Sequence, residues 1–294
     1  MLVVFVLTSG CATDAAEVEQ ERIIVSGASG QLGGLVVEEL LGHGVSADRL
    51  ILVSRTPEEL ERYAAMGATV RFGDFTQPES LVDAYAGGSR MLLISISTLG
   101  ERPRLHGNAI EAAVAAGVRH IAYTSFVDAD DNPSPLAADH RETEALLRQS
   151  GVAWTMLRNQ LYMDGLVGRA AGMVADGRVE VRSGEQGTAY VARADCAAAA
   201  AAVLTQPGHE NQVYDITGPE VIGTAELARI AAEVAGTPIE VVETAAGVAG
   251  GPPAPAANPS FEVVSTAVTD LTGRAPISAQ AMLEANREAL LAPR

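Results

Sequence analysis

The 294-residue chain contains no lysine: all 20 of its basic residues are arginine. That absence removes Schiff-base chemistry, the lysine of a Walker-type phosphate loop and the Tyr-x-x-x-Lys pair of ordinary reductases. Cysteine is nearly absent as well. Cys11 and Cys196 are too few and too far apart for a disulfide framework or a structural zinc site. The histidines, His43, His106, His120, His140 and His209, show no paired spacing, so no metal is expected. Positive charge is scarce: 37 acidic against 20 basic residues give a net charge of -17. Such a polyanion repels phosphate backbones, and no nucleic-acid partner is expected. Aromatic residues make up 4% of the chain, which leaves few stacking surfaces. What is plentiful is aliphatic: 48% hydrophobic against 19% charged residues supplies a substantial core and argues against disorder.

Residues 2–7 read LVVFVL, followed by Thr8-Ser-Gly-Cys11. Six apolar residues fall far short of the about 20 that cross a bilayer. The segment 1–20 reads as a disordered tail or a signal remnant. The short apolar run and the lack of a preceding basic residue favour a tail and a cytoplasmic protein. The alternative is a lipoprotein anchored to a membrane through Cys11.

From Glu21 onward, short β-branched runs alternate with Ala/Leu/Glu-rich stretches. Strands are expected at 22–27, 49–55, 68–74, 90–97 and 120–125, with helices at 32–43, 57–66, 78–86, 103–116 and 139–150. The strands are continuous apolar runs, as a sheet covered on both faces requires. Repeated strand–helix units of this length predict an α/β fold with a doubly wound parallel sheet of Rossmann type. Further strands are expected at 153–159, 213–217 and 239–244. Helices are expected at 196–204, capped by Asp195, and at 261–271 and 278–291, and Trp154 is assigned to the core. The Gly/Pro/Ala stretch 245–260 reads as a lid or surface linker.

Gly27-Ala28-Ser29-Gly30-Gln31-Leu32-Gly33 follows the first strand and opens the first helix. The spacing suits a phosphate-binding turn: Gly27 for the bend, Gly30 for close approach of a pyrophosphate, Gly33 for packing of helix on strand. The context, after a strand and before a helix, is the one the motif needs. The second strand ends Val53-Ser54-Arg55 with no acid before Glu58. Arg55 can fork onto a 2′-phosphate, so NADP(H) is expected over NAD(H). Asp74 closes the third strand, near the adenine or as a cap for the next helix.

GASGQLG with Arg55, then GDFTQPESL (73–81), RMLLISIS, HIAYTS, LRNQLY (157–162) and GHENQVYDITG (208–218) together resemble the NmrA-like atypical short-chain dehydrogenases. The similarity runs from about Arg22 to about Gly218 and is greatest to the branches that reduce quinones and triphenylmethane dyes with NADPH. The resemblance implies a Rossmann domain, here 21–160, and a smaller C-terminal α/β substrate domain, here 161–294. The chain would cross back to the large sheet near 213–218, and the substrate cleft would lie at the junction. It also implies that Gly27, Ala28, Ser29, Gly30, Gln31 and Leu32 line the pyrophosphate, Arg55 the 2′-phosphate and Asp74 the adenine. Ser95 and Ile96 would border the nicotinamide ribose. Thr124 and Ser125 end the strand where ordinary relatives keep a catalytic serine. After about Glu243 the likeness thins.

Loss of the Tyr-Lys pair restricts the acceptor. Carbonyl reduction leaves an alkoxide with a conjugate-acid pKa of ~16, whereas a quinone leaves a phenolate-like oxygen near ~10. That difference is about 8 kcal/mol of oxyanion stabilisation the protein need not supply. A cationic dye needs no proton at all. The partner is thus expected to be a small, flat, quinone-like hydride acceptor, handled by a monomer or a homodimer. His140 is the candidate proton donor, with a pKa suiting neutral pH; a solvated helix-face histidine is the plainer alternative. Tyr162 is a second candidate catalytic residue, and Asn159 and Tyr162 are candidate substrate contacts. A non-catalytic NADP(H) sensor is the competing function.

Overall fold

The computed structural model describes residues 21–244 and 258–292. Cys11 with the rest of 1–20, and most of the 245–260 stretch, lie outside the described residues. The first half alternates strand and helix: β1 (Ile23–Ser26), α1 (Gln31–Gly42), β2 (Leu50–Ser54), α2 (Glu61–Ala65), β3 (Thr69–Phe72), α3 (Leu81–Tyr85), β4 (Arg90–Leu93), α4 (Arg102–Ala115), β5 (His120–Phe126), α5 (Pro135–Gln149) and β6 (Ala153–Asn159). Then come α6 (Leu166–Asp176), β7 (Arg178–Arg182), α7 (Arg193–Thr205), β8 (Gln212–Ile216), α8 (Thr224–Ala235), β9 (Glu240–Thr244), α9 (Ala267–Thr272), α10 (Ala279–Ala285) and α11 (Arg287–Leu291).

Seven strands form one parallel sheet in the order β3-β2-β1-β4-β5-β6-β8. The order reverses between β1 and β4, which places a crevice at the C-terminal ends of those strands. Alternate strand residues serve opposite faces. Val25, Leu52, Leu92, Ala122, Leu157 and Ile216 pack under α1, α7 and α9. Ile24, Ile51, Met91, Ile121, Tyr123 and Met156 pack under α3, α4 and α5. Both faces are therefore dry, which is why the strands read as unbroken apolar runs. Trp154 is only partly buried, at the edge of this second layer, with the Arg148 guanidinium 5.2 Å from its ring centroid.

A two-stranded parallel sheet, β7 beside β9, lies with α6, α8, α10 and α11 over a separate core of Met163, Leu166, Met173, Leu227, Ile230 and Leu283. Between its elements the chain returns to the large sheet: α7 covers it and β8 extends it beside β6.

Several boundaries differ from the sequence reading. The strand expected to 97 stops at Leu93, because side chains capture the next amides: Thr124 Oγ1 accepts from Ser95 N–H (2.8 Å) and His106 Nε2 from Ile96 N–H (3.1 Å). Helix α5 starts at Pro135, where the Ser134 hydroxyl caps Leu136 N–H. Asp195 is no cap. It is fully buried inside α7, where it accepts from Arg274 Nη1 (2.6 Å) and Ile277 N–H (2.8 Å). The expected 261–271 helix is a short 3-10 turn, Pro259–Glu262, followed by α9; between them Ser265 N–H is held by Thr217 Oγ1. The expected 278–291 helix breaks at Asn286, whose side-chain amide takes the Met282 carbonyl. Helices α6 and α8 and strand β7 were not foreseen.

Candidate functional site

The turn after β1 is built for close approach. Gly27 has φ +95°, and its N–H and that of Ala28 donate to the Val53 carbonyl (2.9 and 3.1 Å). A Cβ on Gly33 would lie 2.2 Å from the Gly27 carbonyl oxygen, so only glycine lets α1 start this close to the turn. Gly30 caps α1 without a side-chain hydrogen bond. The first amides of this 12-residue helix are thus free of a side-chain acceptor and carry the positive end of its dipole. Ala28 and Leu32 turn their side chains into the core and offer the crevice only backbone.

Beside the turn, the hydroxyls of Ser29 and Ser54 share a 2.7 Å hydrogen bond, and Thr56 Oγ1 is 3.2 Å from each. Arg55 is exposed next to this hydroxyl group and makes no hydrogen bond or ion pair with the described residues. A half-buried hydroxyl cluster with an unengaged guanidinium at its edge matches the donors a phosphomonoester needs. Asp74 caps a turn, its Oδ1 accepting from Thr76 N–H and Oγ1–H (both 2.9 Å).

Ser95 and Ile96 form a ledge beyond β4. Thr124 Oγ1 holds the Ser95 amide and donates to Ser95 Oγ (3.2 Å). Ile96 is gripped from below by two side chains of α4 one turn apart: its N–H donates to His106 and its carbonyl accepts from Arg102 Nε (2.6 Å). Ser125, by contrast, is buried and engaged elsewhere. Its hydroxyl donates to Glu144 Oε1 (2.6 Å), and that fully buried carboxylate also takes a fork from Arg158 (2.9 and 2.7 Å). The structure therefore brings Thr124 to the ledge and commits Ser125 to a hydrogen bond with the Glu144–Arg158 ion pair.

His140 lies 4% exposed on α5, with Nδ1 2.8 Å from the Tyr123 hydroxyl. Burial, reinforced by the Arg102 charge and then His106, pushes its pKa down to about 3. It is a neutral imidazole at physiological pH, which corrects the expectation of a group titrating near neutrality. His106 is likewise pushed down to about 3 by burial and Arg102. Burial raises the Tyr123 hydroxyl well above the usual tyrosine range. The rings form a continuous series. Phe75 meets His106 edge-on, His106 meets Tyr123, Tyr123 meets His140, His140 stacks on Phe126 (19° interplanar), and Phe126 meets Phe261 edge-on. The series joins four of the chain's twelve aromatic residues to two of its five histidines.

Across the β5–β6 register, Phe126 sits opposite Asn159. Asn159 Nδ2 donates to Tyr162 Oη (3.5 Å), while Asn159 Oδ1 is buried without a donor. Tyr162 lies under Arg193, whose guanidinium is 4.6 Å from the ring centroid, and burial raises its hydroxyl above the usual range. Sequence reading singled out His140, Asn159 and Tyr162 but missed Arg102, His106, Phe126 and Phe261. Arg102 and His106 share a helix face at i, i+4 directly after the fourth strand, a signal that was available; the Phe126–Phe261 contact had none.

A cavity of about 340 Å³ lies at the opposite edge of the sheet, among Ile23, Arg49, Arg90 and Ala202. Both arginines there are already engaged, by Glu21 and by the Val203 and Gln206 carbonyls. The crevice at the C-terminal strand ends is the stronger candidate on chemistry.

A family model described as NAD(P)H-binding matches residues 27–207. The sequence is 40% identical over 206 residues to Escherichia coli quinone oxidoreductase 2, covering 70% of this chain and 72% of that one. Among solved structures, the Escherichia coli NADPH-dependent quinone oxidoreductase complexed with NADPH superposes with TM-score 0.80 at 31% identity. Citrobacter sp. triphenylmethane reductase complexed with NADP(H) gives TM-score 0.80 at 33% identity. Each of these superpositions covers 90% of this chain and 99% of the other.

Proposed function

This chain belongs to the NAD(P)H-binding family and has an oxidoreductase's relatives, and from that premise we propose that it passes hydride from NADPH to a quinone or a similarly flat acceptor. The residues present fit the dinucleotide: a glycine turn that a Cβ would block, helix amides without a side-chain cap, and Arg55 unengaged beside three hydroxyls. Gly27, Ser29, Gly30, Gln31 and the Leu32 amide would hold the pyrophosphate, Arg55 with Ser54 and Thr56 the 2′-phosphate, and Ser95, Ile96 and Thr124 the nicotinamide end. Bound there, NADPH supplies the hydride. Asn159 Oδ1, buried and lacking a donor, is an acceptor for an amide or hydroxyl of cofactor or substrate.

The observation that carries the acceptor class is the ring series ending at His140, Phe126 and Phe261, which contains no charged acid. Such walls orient a planar molecule and exclude water. A hydride delivered to a quinone leaves a hydroquinone anion, which takes its proton from water once it leaves these walls. The neutral His140 is suited to hydrogen-bond that oxygen and not to protonate it. A second reading, reduction of a cationic triphenylmethane dye, is favoured by the same neutrality, because hydride transfer to such a carbon requires no acid.

Monitoring NADPH oxidation against small quinones, cationic dyes, aldehydes and aliphatic ketones tests both readings. Turnover is expected with quinones and dyes and little with ketones. Preference for ketones would overturn the proposal. Tight NADPH binding without oxidation by any acceptor would support a sensor instead.

A further inference from the structure

Hydrogen-bond direction can be followed along the rings from a fixed starting point. The backbone N–H of Ile96 can only donate, so His106 Nε2, 3.1 Å away, accepts. With its pKa near 3, His106 is neutral and carries its single proton on Nδ1. That Nδ1–H lies 3.1 Å from Thr143 Oγ1 and 3.4 Å from the Tyr123 hydroxyl. Thr143 spends its own proton on the Asp139 carbonyl (2.9 Å), so its oxygen receives the His106 proton. The Tyr123 hydroxyl finds no lone pair on His106. Of its other neighbours, Thr143 and His140, the close contact is with His140 Nδ1 at 2.8 Å, and the hydroxyl donates to it. An accepting Nδ1 places the His140 proton on Nε2.

We infer that the Ile96 amide, acting through His106 and Tyr123, locks His140 as the Nε2–H tautomer and so makes it a fixed hydrogen-bond donor. The inference rests on the proposed reaction only for what the donor serves: an acceptor that leaves an oxygen anion, such as a quinone, gains from an N–H there, whereas a lone pair would repel it. His106 and Tyr123 are positioning residues that act through His140. The charged groups facing the series are Arg102, 7% exposed, Asp139, 3.9 Å from Arg102 Nη1, and Glu144 beyond Ser125. Arg102 also holds the Ile96 carbonyl, so both main-chain polar groups of Ile96 are fixed. The ledge proposed to border the nicotinamide and the donor proposed to face the acceptor are thereby set by the same residue's main chain.

The test is nitrogen NMR of the protein labelled with ¹⁵N-histidine, in which the two imidazole tautomers have distinct shift patterns. The expected result is His140 protonated on Nε2 and His106 on Nδ1, both unchanged between pH 5 and 8, with and without NADPH. Tyr123→Phe removes the donor to His140 Nδ1 while keeping the ring. It is expected to release His140 into a tautomer mixture and to lower kcat on quinones about 5- to 10-fold, the effect of one neutral hydrogen bond. KM for NADPH and turnover of a cationic dye should change less than 2-fold, as for an effect confined to the donor. A wild-type His140 protonated on Nδ1 would overturn the lock, as would an unaltered tautomer in Tyr123→Phe. Because the wild-type spectrum is decisive by itself, a Tyr123→Phe variant that fails to fold leaves the lock testable. A protein that oxidises no NADPH yet shows the expected tautomers would refute the proposed reaction and leave the lock standing.

Discussion

In the proposed function, Arg55 is the residue on which cofactor choice turns. It stands exposed, without an ion-pair or hydrogen-bond partner among the described residues, beside the hydroxyls of Ser29, Ser54 and Thr56. Replacing it by alanine is expected to weaken NADPH binding by about 1.5–3 kcal/mol, as for a charge-assisted hydrogen bond, and to leave NADH affinity nearly unchanged. Calorimetry with both cofactors checks this, and equal losses would remove its assignment to the 2′-phosphate. The role proposed for Arg55 was legible because it follows from position: strand end, glycine turn, no acid. His140 was legible as a residue near the rim but not as a neutral one. Its protonation depends on burial and on Arg102, which joins it only in three dimensions. Ser125 misled for a similar reason. A serine at the end of a strand looks available until Glu144 and Arg158, from two other elements, claim it.

At the level of elements, the start of α1 is the most constrained junction. Gly33 lies against Gly27 and Ala28 so tightly that a methyl group would fall 2.2 Å from a carbonyl oxygen and 2.8 Å from a Cα. Both neighbours are backbone and cannot rotate aside. Gly33→Ala is expected to cost at least about 1–3 kcal/mol, the range for overpacking, and to displace the turn enough to abolish NADPH binding. Denaturant unfolding and a binding titration would report the two effects separately; a variant with native stability and affinity would contradict the packing role. The alternation of strand and helix was legible because each parallel strand is dry on both faces. Element ends were not, since long-range side chains set them: Thr124 and His106 stop β4, and Arg274 claims Asp195 from the helix cap it resembled. Of the small sheet, β9 was expected at 239–244, whereas β7 escaped notice because it is five residues long and mostly exposed.

For the molecule as a whole, buried imidazoles tie stability to pH. His106 and His140 are held near pKa 3 when folded, against about 6.5 when unfolded. Below pH 6.5 the unfolded chain binds protons that the folded one refuses, so stability present above that pH is lost as it falls toward 3. Each imidazole costs up to about 1.4 kcal/mol per pH unit in this window. Glu21 and Asp130, whose pKa values are lowered, add losses in the same direction but only below the ordinary carboxylate range. Urea midpoints are therefore expected to drop steadily from pH 6.5 to 4.5, and His106→Gln should flatten that slope. A flat wild-type profile would show that the imidazoles are not held neutral.

The parallel sheet also makes the two ends of the molecule unlike. All seven strands start at one edge and finish at the rim that bears the glycine turn, the Ile96 ledge and the rings. Glu21 is at the starting edge, fastened there by Arg49, Arg90 and Arg119. A linker attached ahead of it would hold the molecule with its rim turned away from any support. Captured in that orientation on a sensor surface, the protein is expected to bind NADPH as it does free in solution, whereas attachment through a residue introduced at Arg55 should block the response.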